Sequence, residues 1–143
     1  MKTKSLILIL ALLLTLSACG KQPETSATTE NVTGKVDVDL TALSSTMVYS
    51  EVYNMLTVPE NYVGKTIKMT GGYSAFLDES TGAVYRVCMI ADATACCAQG
   101  MEFVLKDGMA YPEMEADITV VGTFQVYEEN GTTYCHLVNA EIV

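Results

Sequence analysis

The stretch that most constrains this chain is residues 117–127, where side chains alternate in a period of two. Ile118, Val120, Gly122, Phe124 and Val126 fall on one side, and Thr119, Val121, Thr123, Gln125 and Tyr127 on the other. That period belongs to a strand and not to a helix. Glu128-Glu129-Asn130-Gly131 follows, and Asn-Gly readily takes the two positive φ angles of a type I′ turn. Thr132 to about Ile142 then returns as a partner strand. The end of the chain is therefore read as a β-hairpin, and the rest must supply a sheet for it to join.

Three further strands are legible upstream. From Lys65 the period is again two, with Ile67, Met69 and Gly71 facing one way and Thr66, Lys68 and Thr70 the other. Gly71-Gly72 inside this run predicts a bulge or sharp bend. Asp78-Glu79-Ser80-Thr81-Gly82 reads as a turn, Val84–Ala91 as a second strand, Asp92–Gly100 as a cysteine-bearing loop and Met101–Leu105 as a third strand. Lys106–Ala116, with Gly108 and Pro112, is a connection. Ahead of the strands, Val48, Val52 and Leu56 recur at helical spacing beside Tyr49 and Tyr53. Ser45 or Thr46 is placed to cap that helix and Pro59 to end it.

The frame Pro59-x-x-Tyr62-x-Gly64-Lys65-x-Ile67-x-Met69-x-Gly71, with Gly122-Thr123-Phe124 and the closing hairpin, resembles OB-fold domains of exported bacterial proteins. The resemblance covers residues 47–143. It implies a mainly β fold, a five-stranded barrel with a short N-terminal helix. One departure is the connection between the third and fourth strands, too short and irregular for the helix usual there.

The first residues point to export. Lys2 and Lys4 precede the apolar run 6–14, which is shorter than the roughly 20 residues needed to cross a hydrocarbon core. A basic start and a short apolar core are those of a signal peptide. Leu16-Ser17-Ala18-Cys19 resembles the lipobox of bacterial lipoproteins. That resemblance implies cleavage before Cys19, lipid on its thiol and a place on the extracytoplasmic face of a cell membrane. At least two acyl chains on one cysteine make a stable anchor. The expected organisation is a signal peptide over 1–18, a flexible tether over 19–45, whose Ser/Thr-rich start has little to bury, and one domain over 46–143.

Charge narrows the partners. Loss of residues 1–18 removes Lys2 and Lys4, leaving 6 basic against 17 acidic side chains and a formal charge of −11. Such a surface repels phosphate backbones, so nucleic acid is not an expected partner. The lipid must do the anchoring, and an envelope protein is a conceivable partner.

Chemistry rests on the cysteines. With Cys19 consumed by lipid, Cys88, Cys96, Cys97 and Cys135 remain. In the OB-fold that the chain resembles, the second strand lies antiparallel to the third and the third parallel to the fifth. That arrangement implies that all four thiols converge at one end. Three readings stay open. Thiolates select zinc or copper(I), so Cys96, Cys97, Cys135 and Cys88 are candidate ligands, with His136 and Asp92 as further donors. Cys135 and His136 are adjacent on a strand and point to opposite faces. The same four cysteines are alternatively two disulfides stabilising a structural or interaction module, as suits an oxidising compartment. A redox role lacks a Cys-x-x-Cys. Arg86-x-x-Met89, Ala91-Asp92-Ala93 and Cys96-Cys97-Ala98 are similar to the Cys-Cys-Ala-Ala-Asp stretch of a permease-subunit family, and that likeness implies metal or small-solute handling. The family places Cys-Cys before Ala-Asp, and this chain places it after.

No Ser-His-Asp set or phosphate loop is visible, and His136 is the only histidine, so the chain is not expected to be an enzyme. The eight tyrosines suit either a binding face or ordinary strand positions.

Overall fold

A computed structural model describes residues 34–143. The expected signal peptide, Cys19 and the tether up to residue 33 lie outside the described residues. Within them the chain forms β1 (Val38–Asp39), a 3-10 turn at Leu40–Ala42, the helix α1 (Ser45–Thr57), a second 3-10 turn at Pro59–Asn61, and the strands β2 (Thr66–Leu77), β3 (Val84–Ala91), β4 (Ala98–Leu105), β5 (Asp117–Glu129) and β6 (Thr132–Ile142). No helix among the described residues is long and apolar enough to cross a membrane.

The sheet runs in the order β1-β2-β3-β4-β6-β5. β2 serves two partners in turn. Residues 66–72 pair with β5 and residues 72–77 with β3, both antiparallel, and the change falls at Gly72. The bend expected at Gly71-Gly72 is this change of partner. A Cβ at Gly71 would stand 2.4 Å from the Met89 carbonyl oxygen and 2.8 Å from Cys88 Sγ, so only glycine lets the backbones approach there. The hairpin between β5 and β6 turns through Asn130 and Gly131 at φ 52° and 80°, the handedness that Asn-Gly favours.

The expected mainly β, five-stranded OB-fold-like barrel is corrected by this arrangement. The fold is mixed α/β on a six-stranded sheet, and β1 is an edge strand bonded to β2 alone, in parallel. The sixth strand comes from the segment read as tether. Its polar neighbours hide a short element: Val38 packs against the core and Leu40 is only 1% exposed. Asp37 and Asp39 hold it in place. The Asp37 carboxylate accepts from the Thr66 N–H at 3.0 Å, and Asp39 caps the 3-10 turn by accepting from the Thr41 N–H at 2.9 Å. The described chain thus pairs with the sheet from Val38 onward.

The core lies between α1 and the inward side chains of the strands. Ile67, Met69, Met101, Phe103, Val120, Phe124 and Leu137 are fully buried. From α1, Val52 and Met55 enter it, whereas Leu56, expected on that stripe, sits at its exposed margin. Burying Val52 and Met55 stabilises the fold by about 1.5–3 kcal/mol each. Glu51 ties the helix down further by accepting from the Tyr62 hydroxyl at 2.7 Å. The 106–116 connection closes the other flank, with Tyr111 against Tyr73 and Phe103 and its hydroxyl accepting from the Leu105 N–H at 3.1 Å.

Candidate metal centre

β3 and β4 are antiparallel, and their last pair, Ala91 with Ala98, leaves a six-residue loop, Asp92–Cys97. The loop is built on one side chain. The Asp92 carboxylate accepts from the N–H of Thr94 at 3.1 Å and from the N–H of Cys96 at 3.0 Å, both through Oδ1. An aspartate that binds the backbone two residues on is a standard turn former. The Thr94 hydroxyl lies 3.0 and 3.1 Å from the two carboxylate oxygens. The backbone closes the loop from within, the Asp92 N–H donating to the Cys97 carbonyl at 2.9 Å and the Ala95 N–H to the Asp92 carbonyl at 3.0 Å. To do so Ala95 takes φ 55°, in the left-handed region.

This folding puts three soft or anionic donors together. Cys96 Sγ lies 3.4 Å from Asp92 Oδ2 and 3.6 Å from Cys97 Sγ, and the Thr94 hydroxyl is 3.2 Å from Cys96 Sγ. One ligand atom from each of Asp92, Cys96 and Cys97 falls within 4.8 Å of the others, so the three form a candidate metal-binding cluster. Both cysteines are exposed and Asp92 is partly buried. Burial pushes the Asp92 carboxyl up, but the hydrogen bonds from Thr94 and Cys96 outweigh it and hold the group below the usual carboxylate range. The Cys97 thiol is pushed up by its contact with Cys96, by some loss of hydration and by the Asp92 charge.

The expected convergence of four thiols is corrected. The neighbour relations are those on which it was argued, β3 antiparallel to β4 and β4 parallel to β6. The separation is along the strands. Cys88 pairs with Met101, three residues inside the Ala91–Ala98 rung, which puts it roughly 10 Å below the loop. Glu102 pairs with His136, so Cys135 is level with Met101 and equally deep. Cys88 is fully buried, and burial pushes its thiol up to about 12. Cys135 is half-buried, with Sγ 3.9 Å from the Met55 carbonyl oxygen, and burial raises its thiol also. His136 points the other way, its ring 4.6 Å from that of Tyr127. Burial lowers its basicity, with the nearby Glu102 opposing. Of the six expected donors, Asp92, Cys96 and Cys97 come together, and Cys88, Cys135 and His136 do not join them.

The disulfide alternative is corrected as well. Cys88, Cys96, Cys97 and Cys135 are all free thiols. Cys96 and Cys97 are in contact but unbonded, since 3.6 Å is far beyond a sulfur–sulfur bond of about 2.05 Å. Thr94, which touches two of the three donors, is absent from the expected set. The signal for it was the spacing Asp-x-Thr, in which both side chains fold back on the same turn.

No protein-family model, no curated protein and no solved structure matches this chain. The resemblances to lipoproteins with an OB-fold-like domain and to the permease-subunit family are corrected accordingly and assign no family. The reversed order of the second motif has a structural consequence. Asp92 organises the loop by binding forward to Thr94 and Cys96, and it would lose that reach if it followed the cysteines.

Proposed function

We propose that this protein is a non-catalytic, extracytoplasmic lipoprotein, anchored through lipid on Cys19, that binds a soft metal ion at Asp92, Cys96 and Cys97. The observation that carries the reading is the spacing of the donors. In a tetrahedral zinc site with Zn–S near 2.3 Å and Zn–O near 2.0 Å, two sulfurs stand about 3.8 Å apart and a sulfur and an oxygen about 3.5 Å apart. The distances here are 3.6 Å and 3.4 Å. Cys96 therefore already stands at ligand spacing from both other donors, and all three lie within 4.8 Å of one another. A carboxylate beside two thiolates favours zinc over copper(I), which prefers sulfur alone. Three protein donors leave a fourth position for water or for a donor from an envelope partner, and the exposure of the loop suits either.

The test is zinc affinity by chelator competition on the full chain purified without oxygen. Cys96→Ser and Cys97→Ser should each weaken binding on the order of 100-fold or more, beyond what loss of an outer-shell contact costs, and Asp92→Ala by less. Cys88→Ala should bind as the parent does. Stoichiometric metal that survives the Cys96→Ser/Cys97→Ser pair would overturn the assignment.

A further inference from the structure

Apart from the donors of the thiol loop, β3, β4 and the β5–β6 hairpin, with Leu56 of α1 and Cys135 of β6, line an open cavity of about 450 Å³. Its walls carry the phenols Tyr85, Tyr127 and Tyr134 and the carboxylates Asp78, Glu102 and Glu129, and no lysine or arginine lines it. The rings are ordered by packing. Tyr127 stacks on Tyr134 with centroids 5.6 Å apart and leans on His136 at 4.6 Å. The carboxylates are ordered by the phenols. The Tyr127 hydroxyl donates to Glu102 at 2.6 Å, and the Tyr85 hydroxyl donates to Glu129 at 2.8 Å from each oxygen. A carboxylate offers about four acceptor positions, so one phenol leaves each free to accept more. Leu56 and Val87 supply apolar surface between the polar groups. The basic side chains on β3 and just after β4 are engaged elsewhere: Arg86 lies over the Tyr111 ring at 4.1 Å, and Lys106 pairs with Glu141.

We propose that this cavity is a second binding site, taking a small free organic cation with an ammonium or quaternary ammonium head. Ring faces attract a cation through their quadrupole, and they do so more strongly where water is partly excluded. The volume lies within the range of small-molecule sites. Carboxylates behind and beside the rings add charge, while the apolar wall accepts methyl groups that a bare metal ion would not use. Asp78 and Glu129 would repel a phosphate next to the ammonium group, so the site selects the free cation over a phospholipid headgroup. None of Asp92, Cys96 or Cys97 lines the cavity, so the two sites are independent.

Titration calorimetry of the full chain with choline, in the presence of a chelator, tests this. Choline is expected to bind. Its neutral isostere, dimethylbutanol, is expected to give no heat, and glycerophosphocholine to bind more weakly than choline. Tyr134→Leu keeps the apolar bulk of a side chain that is 44% exposed and should weaken choline about 3- to 30-fold, the range of a single ring–cation contact. Glu102→Gln should weaken it by about 10-fold or more through loss of charge. Circular dichroism of both variants checks that they fold, and Tyr134→Leu keeps the test alive should Glu102→Gln not. Equal binding of choline and dimethylbutanol, glycerophosphocholine binding as tightly as choline, or no heat up to about 10 mM choline would each overturn the proposal.

Discussion

The four thiols of the folded region divide into two pairs with opposite surroundings. Cys96 and Cys97 stand in solvent on a turn, beside a carboxylate that the turn itself holds ionised. Cys88 and Cys135 lie on β3 and β6 at the level of Met101, one fully buried and the other against the helix backbone. The first pair has neighbours that complete a coordination shell. The second has neighbours that fill space. The comparison teaches that cysteine count and sheet topology do not define a site. The position of each thiol along its strand decides whether it is a donor or a small core residue.

The largest effect that separates the pairs is reactivity, because the thiolate is the attacking species. Burial moves the Cys88 thiol from an ordinary 9.0 to about 12, which cuts its thiolate fraction near neutral pH by about 1000-fold. Native protein treated with iodoacetamide, cleaved before Asp92 and mapped by peptide mass spectrometry should therefore show Cys96 and Cys97 labelled far faster than the buried Cys88. Denaturation should abolish the difference. Comparable rates in the native state would break the comparison outright.

A second contrast is steric and of opposite sign in the two regions. Gly71→Ala places a Cβ against the Met89 carbonyl oxygen, Cys88 Sγ and Ile90 Cδ1, with 2.4 Å to the first. Backbone cannot retreat as a flexible side chain does, so a loss of about 1–3 kcal/mol is expected. At the loop, Ala95→Gly removes a side chain from φ 55° and should be neutral or stabilising by up to about 1 kcal/mol, the relief being offset in part by the freer unfolded chain. Urea midpoints of the two variants measure both. A Gly71→Ala protein as stable as its parent would show that the packing around Cys88 is looser than the structure has it.

Much of this sheet could be read from side-chain period and turn chemistry. β3 and β6 fall on Val84–Ala91 and Thr132–Ile142, and the Asn130-Gly131 turn takes the expected positive φ angles. These elements depend on local preferences that the sequence displays directly. β1 was not legible. A two-residue strand has no period, and its burial depends on Leu40 reaching a core assembled from residues at least twelve positions away. The same limit governs the site. The Cys-Cys pair stood out in the sequence, and Asp92 lay close enough to be a candidate donor. The exclusion of Cys88, Cys135 and His136 follows from strand register, a long-range property that no short motif carries. The aromatic and acidic cavity was equally hidden, since Tyr85, Glu102, Tyr127 and Tyr134 come from four strands and meet only through pairing.

The smallest expected effect tests whether Asp92 organises the loop before any metal arrives. Its carboxyl is held below the usual range, so the bonds that depend on its charge are fully present above the ordinary carboxylate pKa. They are lost as the pH falls through the lowered folded value. In metal-free protein, chemical shifts of the Thr94 and Cys96 amides, which donate to Oδ1, should stay constant from neutral pH down to the carboxylate range and then move together with one titration. Asp92→Asn should remove that titration at both amides and leave Cys88, three rungs away, unchanged. Because the loop is at the surface, the urea midpoint of unfolding should barely shift. If the amides of the parent do not follow a carboxyl titration, the donors are not preassembled. The ion would then have to order the loop on binding, at a cost in affinity.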